Sequence, residues 1–366
     1  MKAEECFSPT YEAARSKFIS VCQASGARMA AYVNPNGKTP DGEALVTDTA
    51  WFGRPDAARV LLVFSGTHGQ EFFAGAATQI GWVLQERHRE LPNDTAVLLV
   101  HAVNPFGAAH MSRTTENNVD PNRNFLDHDL GHYTDPDFEL CVDVLRVAEP
   151  SETEFQRVKG TLDDLFDRHG KGRIFALTSE GQFAHPKLSG FAGLAPEWTN
   201  DVVHSIVSEQ LSGADHVAAI DWHSGVGESQ SLLFLCFDEP GSPAFRRASQ
   251  WWGEDTIADG VRNYGDHERP QFRGLLVNGV REMLQARYLA SAVIEFGTHP
   301  WDEVCNAILV DQWLRFGKGA KSEADLQHWR TFMLERFCPH DTGWRAWALE
   351  AGLTVYDQAI GGLAQL

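Results

Sequence analysis

Four short apolar runs, each ending in turn residues, constrain this chain more than any other feature. They are Val60 to Phe64, Ala96 to Pro105, His216 to Gly225 and Ser291 to Pro300. Continuous apolar runs of this length fit strands buried on both faces, as in a parallel sheet. Ser231 to Phe237 is a further strand candidate. Helical patterns alternate with these runs: Tyr11 to Ser25 is amphipathic, and Glu71 to Gln85 follows the first run directly. Alternating residues over 30–52, with the turn signal Asn34-Pro35-Asn36-Gly37, predict a hairpin. The pattern predicts an α/β fold: a mixed, mostly parallel central sheet with helices on both faces, a three-layer sandwich.

The 366 residues are expected to form a single domain, 1–366. Within it, residues from about 127 to 200, rich in Asp, Glu, Gly and Pro, form an excursion of the kind that shapes or covers a site. Helices are expected near Phe138 to Val147 and Glu152 to Arg168. From about Asp311 onward the chain predicts one or two helices and a short strand-like tail.

Composition narrows the partners. Lys and Arg number 31 against 50 Asp and Glu, a net charge of −19. Such a field repels phosphate backbones and anionic membranes, so neither nucleic acid nor membrane is expected as a partner. No apolar run of about 18 residues predicts a membrane span. The polar start, MKAEECFSPTYEAARSKF, lacks the apolar core of a signal peptide. The six cysteines are scattered without a CxxC pair, as reduced, mostly buried thiols would be. A cytoplasmic location is the expectation. Oligomeric state is not legible.

In sheets of this kind, ligands sit beyond the carboxyl ends of the strands. His68, His223 and Glu295 all fall there. His68 and Glu71, three apart on a turn leading into a helix, can face one ion. His-x-x-Glu alone is a weak signal and is more often an ordinary charged helix start. His223 would be a third ligand; Asp221 shares its strand face and could hold its second ring nitrogen. Taken alone, His223 reads as a satisfied strand-end histidine. Glu295 is a carboxylate in an apolar strand, costly unless paired or functional, and suited to a general base. Arg113, Asn122 and Arg123 flank a turn-rich segment, where arginine can hold a developing oxyanion or clamp a carboxylate. The plain alternative is a loop tied by surface ion pairs. His101 reads as structural, Trp251-Trp252 as core, and Gln182 and His185 as pocket border or loop packing. No GxSxG elbow is present.

In order, SGTHGQEFF, NPFGAAHMSRTTENNVDPNRNF, GQFAHPKLSGFAGLAPEW, DWHSG and IEFGT resemble the zinc carboxypeptidase superfamily of carboxypeptidase A type. More closely they resemble a bacterial branch described as a domain of unknown function, which shows SGTHGVEGF, RRxNExNVDLNRNF, DLHTG and LEFGT. The likeness spans about Val60 to Pro300. It implies one Zn2+ per chain on His68, Glu71 and His223, with Glu295 as general base and acid. It also implies Arg113 at the oxyanion, Asn122 and Arg123 on a substrate carboxylate, and Asp120 as partner of His68. The implied activity is hydrolysis of an amide next to a free carboxylate, in a peptide or an N-acyl amino acid. Alternatives are an aspartoacylase-like or desuccinylase-like deacylase, and a non-catalytic binding protein on the same fold. Departures are Gln70 and Phe72 around Glu71, Pro121 for Leu, and a lost aromatic near Phe191. The superfamily's pocket tyrosine has no clear counterpart; Tyr264 and Tyr288 are at unpersuasive spacings.

Overall fold

The computed structural model describes residues 2–257, 270–319 and 321–366. Its sheet has seven strands in the order β1-β2-β4-β3-β5-β7-β6. The strands are β1 Arg28–Lys38, β2 Ala44–Phe52, β3 Arg59–Ser65, β4 Thr95–His101, β5 His216–Ser224, β6 Leu232–Leu235 and β7 Tyr288–Phe296. The central four, β4, β3, β5 and β7, run parallel. Antiparallel pairing adds β2 and β1 at one edge and β6 at the other. The expected α/β sandwich is the observed fold.

Each central strand sends alternate residues to opposite faces, as a period of two requires. Leu61, Val63, Ile220, Trp222, Ile294 and Phe296 pack into one buried cluster with helices α1 (Tyr11–Ala24), α2 (Phe72–Leu84) and Thr342–Ala364. Val60, Leu62, Val217, Ala219 and Val293 pack into the other with helices Trp198–Gln210 and Leu276–Leu284. Both faces are covered, which is why the strands read as unbroken apolar runs.

From β3 the chain passes through α2 to β4 on one side, then returns to place β5 on the other side of β3. The order therefore reverses beside β3, and the crevice at the carboxyl ends of β3 and β5 is a topological switch point.

Three expectations need correction. The hairpin reverses at Thr39–Glu43, not at Asn34–Gly37: Thr39 N–H donates to Glu43 O (3.0 Å). Asn34 instead folds its side chain onto Asn36 N–H (2.9 Å), making a local turn inside β1 where the register shifts. The expected helix near Phe138 is a 3-10 stretch, Pro136–Leu145. At the C-terminus, helices Trp301–Phe316, Glu323–Phe337 and Thr342–Ala364 replace the expected start at Asp311 and strand-like tail. Trp344, Ala348, Leu349, Leu353, Tyr356, Ala359 and Leu363 give the last helix a buried face at helical spacing, and packing of that face overrides local alternation. Trp252 packs on Phe234 (ring centroids 5.9 Å apart) within the core, as its sequence context suggests.

Candidate metal centre and surrounding site

The turn after β3 aims His68. Gly66 has φ +73, and a Cβ there would lie 2.9 Å from Phe72 and 3.3 Å from Ala102. Only glycine accepts that conformation without strain. A single 3-10 turn, Gly69–Glu71, then leads into α2 and places Glu71 at its start. A Cβ on Gly69 would stand 1.9 Å from the Gly107 carbonyl carbon, so this turn sits backbone to backbone against helix α3 (Pro105–His110).

His68 and His223 turn the same ring atom toward the same carboxylate. His68 Nδ1 lies 3.0 Å from Glu71 Oε1, and His223 Nδ1 lies 2.8 Å from Glu71 Oε2. The three side chains are buried, and a nitrogen or oxygen from each lies within 4.8 Å of the others. The far nitrogens are held by carboxylates. His68 Nε2 is 3.0 Å from Asp120 Oδ1, and His223 Nε2 is 2.9 Å from Asp221 Oδ2. Asp221 is itself fixed by the Thr67 hydroxyl, which donates to Oδ1 (2.7 Å).

Two imidazoles and a carboxylate form the donor set of a catalytic zinc. A carboxylate on each distal nitrogen places the proton there and leaves Nδ1 as the lone-pair donor. The residues present therefore fit a divalent zinc.

The charges are closely coupled. Burial alone would raise Glu71, but the two histidines outweigh it and hold its carboxyl below the usual range. Burial likewise opposes ionisation of Asp120, yet Arg113 and His68 hold it well below that range. Burial disfavours charge on His223, but Asp221 and Glu71 raise it well above an ordinary histidine.

Arg113 bridges the site. Its Nη1 donates to Glu71 Oε1 (3.0 Å) and its Nε to Asp120 Oδ2 (3.2 Å). Glu295 is the Cα partner of His223 across the β5–β7 ladder, on the same face. It is only 7% exposed, and its Oε2 is buried without a hydrogen-bond partner among the described residues. Burial, then the charge of Glu71, pushes its carboxyl up to about 8, against the opposing pull of His223 and Arg113.

Asn122 and Arg123 lie buried just beyond Asp120. Asn122 Oδ1 accepts from Leu276 N–H (2.8 Å). Arg123 donates to Ser179 O and Asn122 O (both 2.7 Å), and its guanidinium lies 5.0 Å from the Phe272 ring centre. These contacts tie the pair to the excursion and to the segment before helix Leu276–Leu284. The excursion also reaches Asp120, whose N–H donates to Phe191 O (2.7 Å).

Other candidates sit elsewhere. Gln182 brackets the His185 backbone with both ends of its amide (2.7 and 2.8 Å), and His185 pairs with Glu139 (2.6 Å), so both serve loop packing. His101 bonds Gln79 (2.9 Å) and stacks on Phe18, and burial drives it down to about 3, a structural histidine. Tyr288 begins β7, seven residues before Glu295, a span of roughly 23 Å in a strand. It bonds Asp238 (2.7 Å) and is not brought to the site. Tyr264 lies outside the described residues. Thr67 and Asp311 were not foreseen; Thr67 abuts His68 in sequence, but nothing local marks Asp311, which accepts from Arg113 N–H (2.8 Å).

The fold recurs in bovine thrombin-activatable fibrinolysis inhibitor, solved in complex with tick carboxypeptidase inhibitor. The match has TM-score 0.52 and 12% identity and covers 98% of each chain. A metallo-carboxypeptidase from Pseudomonas aeruginosa matches at TM-score 0.39 and 16% identity, over 93% of this chain and 68% of that one. The succinylglutamate desuccinylase from Chromobacterium violaceum matches at 0.37 and 13%, over 87% and 78%. The first of these matches shows a shared α/β fold. Residues 7–351 match the family described as "Protein of unknown function (DUF2817)", and the chain belongs to that family. No curated protein matches it. Among the described residues, no helix is long and apolar enough to cross a membrane.

Proposed function

We propose that this protein is a zinc-dependent hydrolase that cleaves an amide bond next to a free carboxylate. The observation that carries the reading is the pairing of both histidine Nδ1 atoms with Glu71, beside a buried Glu295 with an unpartnered oxygen.

His68, Glu71 and His223 would hold one zinc ion, whose Lewis acidity would acidify water and polarise the substrate carbonyl. Glu295 takes a proton from the attacking water as the oxygen–carbon bond forms. It then delivers that proton to the leaving nitrogen as the carbon–nitrogen bond breaks. Its raised proton affinity suits both halves of the exchange, and a cation nearby draws that affinity down toward neutral pH. Arg113, facing Glu71 and Asp120, brings positive charge to the carbonyl oxygen as it becomes an oxyanion. Asn122 and Arg123, anchored as described, would orient the substrate carboxylate.

Burial of the candidate residues favours a small substrate over a long peptide. Glu295 is 7%, Asn122 5% and Arg123 7% exposed. An N-acyl amino acid or a short peptide is the expected substrate, and a desuccinylase-like deacylase is the second reading. The test is a screen of N-acyl amino acids against peptides of increasing length, with zinc-loaded wild type and Glu295→Gln. Hydrolysis confined to short carboxylate-bearing amides, and lost in the variant, supports the reading. No hydrolysis of any amide by zinc-loaded wild type contradicts it.

A further inference from the structure

Arg113 lies in an irregular segment between α3 and Asp120 that makes no strand pairing. One face of helix Trp301–Phe316 fastens it. Asp311, buried in that helix, accepts from Arg113 N–H (2.8 Å) and from the Ser112 hydroxyl (3.2 Å) through Oδ2. One turn later, Arg315 Nη1 donates to Ser112 Oγ (3.1 Å), Thr115 O (2.8 Å) and Thr114 Oγ1, while its Nη2 donates to Glu116 O (3.0 Å). Between them, Gln312 reaches Asn118 Oδ1 (3.4 Å). Asn118 has φ 60, and its amide donates to Pro186 O (2.8 Å).

We propose that Asp311 and Arg315 are positioning residues for Arg113, so that the C-terminal helical part sets the place of the guanidinium facing the reacting carbonyl. This rests on the hydrolase reading above. Three features support it. The helix contacts run to backbone atoms and short hydroxyls on either side of Arg113, so they fix the path of the chain. Arginine's planar fork presents five donors in a fixed, spread geometry, whereas lysine's three radiate from one point. And the segment has no strand ladder: apart from a local turn at Thr115–Val119 and the bonds of Ser112 to Gly107 and Gln70, the helix supplies the contacts nearest Arg113.

The test is a double-mutant cycle on kcat with zinc-loaded protein. Arg315→Met keeps the aliphatic stem and removes the fork. A misplacement of about 1 Å costs on the order of 10²-fold in rate, so Arg315→Met should lower kcat on that scale. KM and zinc stoichiometry should change little; the melting temperature should fall, because the acceptors of Arg315 and the buried Asp311 lose their partner, so kcat is read well below that melting temperature. In an Arg113→Ala background the same substitution should cost almost nothing, because no guanidinium is left to position. Asp311→Asn, which keeps an acceptor for the Arg113 N–H, should recover most of the rate lost in Asp311→Ala. If Arg315→Met does not fold, Arg315→Lys enters the same cycle. Equal losses in both backgrounds, no loss in either, or loss of zinc each overturn the proposal. A zinc-loaded wild type without activity removes the hydrolase reading first, and is told apart because it shows before any substitution.

Discussion

Asp221 offers the sharpest test of how the metal centre is built. It is fully buried, with one oxygen on the Thr67 hydroxyl (2.7 Å) and the other on His223 Nε2 (2.9 Å). Replacing it by Asn leaves the shape almost unchanged and alters only hydrogen bonding. The Thr67 hydroxyl needs an acceptor and takes the amide oxygen, so the amide NH2 faces His223. That geometry makes Nε2 the acceptor and moves the ring proton to Nδ1, the atom that faces Glu71. A protonated Nδ1 cannot ligate. The alternative flip leaves the Thr67 hydroxyl facing an NH2 group and costs about 1–3 kcal/mol for an unsatisfied buried group. Loss of such a supporting carboxylate weakens metal binding about 10- to 100-fold, or roughly 1.4–2.7 kcal/mol. Asp221→Asn should therefore weaken zinc at least as much as Asp221→Ala, despite being the smaller change. The assay is competition with a chromophoric chelator at fixed pH, with circular dichroism as the check on folding. A folded Asp221→Asn that binds zinc within a factor of about three of wild type, far short of that range, would refute the reasoning.

Other outcomes follow from the same geometry. Glu295→Gln should keep zinc and lose about 10²–10⁴ in kcat, measured on whichever amide the wild type cleaves. The same substitution has a pH signature in the metal-free protein. Glu295 binds its proton up to about 8 when folded, whereas an unfolded glutamate releases it near 4.3. Stability is thus lost as pH rises through that window, and Glu295→Gln should melt progressively higher than wild type from pH 5 to 8, by scanning calorimetry. His223, whose proton is held by Asp221 and Glu71, must release it to bind zinc. Zinc affinity should therefore rise with pH, and calorimetry in buffers of different ionisation heat should show proton release. Arg113→Ala should cost about 10²–10³ in kcat by steady-state assay. It should also destabilise the metal-free protein by about 3–5 kcal/mol in urea unfolding, because Glu71 and Asp120 lose their counter-charge. Gly66→Ala should cost more than the roughly 1–2 kcal/mol of the left-handed backbone alone, because its Cβ would also crowd Phe72 and Ala102, by the same unfolding measurement.

Much of the central sheet was legible because burial on both faces writes strands as apolar runs: β3, β4, β5 and β7 overlap the runs that begin at Val60, Ala96, His216 and Ser291, although β7 starts three residues earlier, at Tyr288. The histidine, carboxylate and arginine cluster was legible because its members close those strands or follow them in ordered motifs. Less legible were features that depend on distant packing. Asn34-Pro35-Asn36-Gly37 carries turn chemistry, but the asparagine spends it inside β1 and the chain reverses later. The C-terminal tail alternates locally, yet Trp344, Tyr356 and their neighbours are captured by the sheet face as one helix. Asp311 and Arg315 look like ordinary helix charges. Only the fold brings them to a segment some 200 residues earlier, Ser112 and Thr114 among its members. Asn122 and Arg123 carry the motif's chemistry, but their packing on Ser179, Leu276 and Phe272 had no local sign.

The most direct test of the metal centre is the zinc content of the purified protein, wild type beside His223→Ala. The account predicts about one zinc per wild-type chain, as a site with three protein ligands holds, and loss of that zinc in the folded variant. Wild type that takes up no zinc after reconstitution, or a variant that binds it as tightly, would contradict the site at its root.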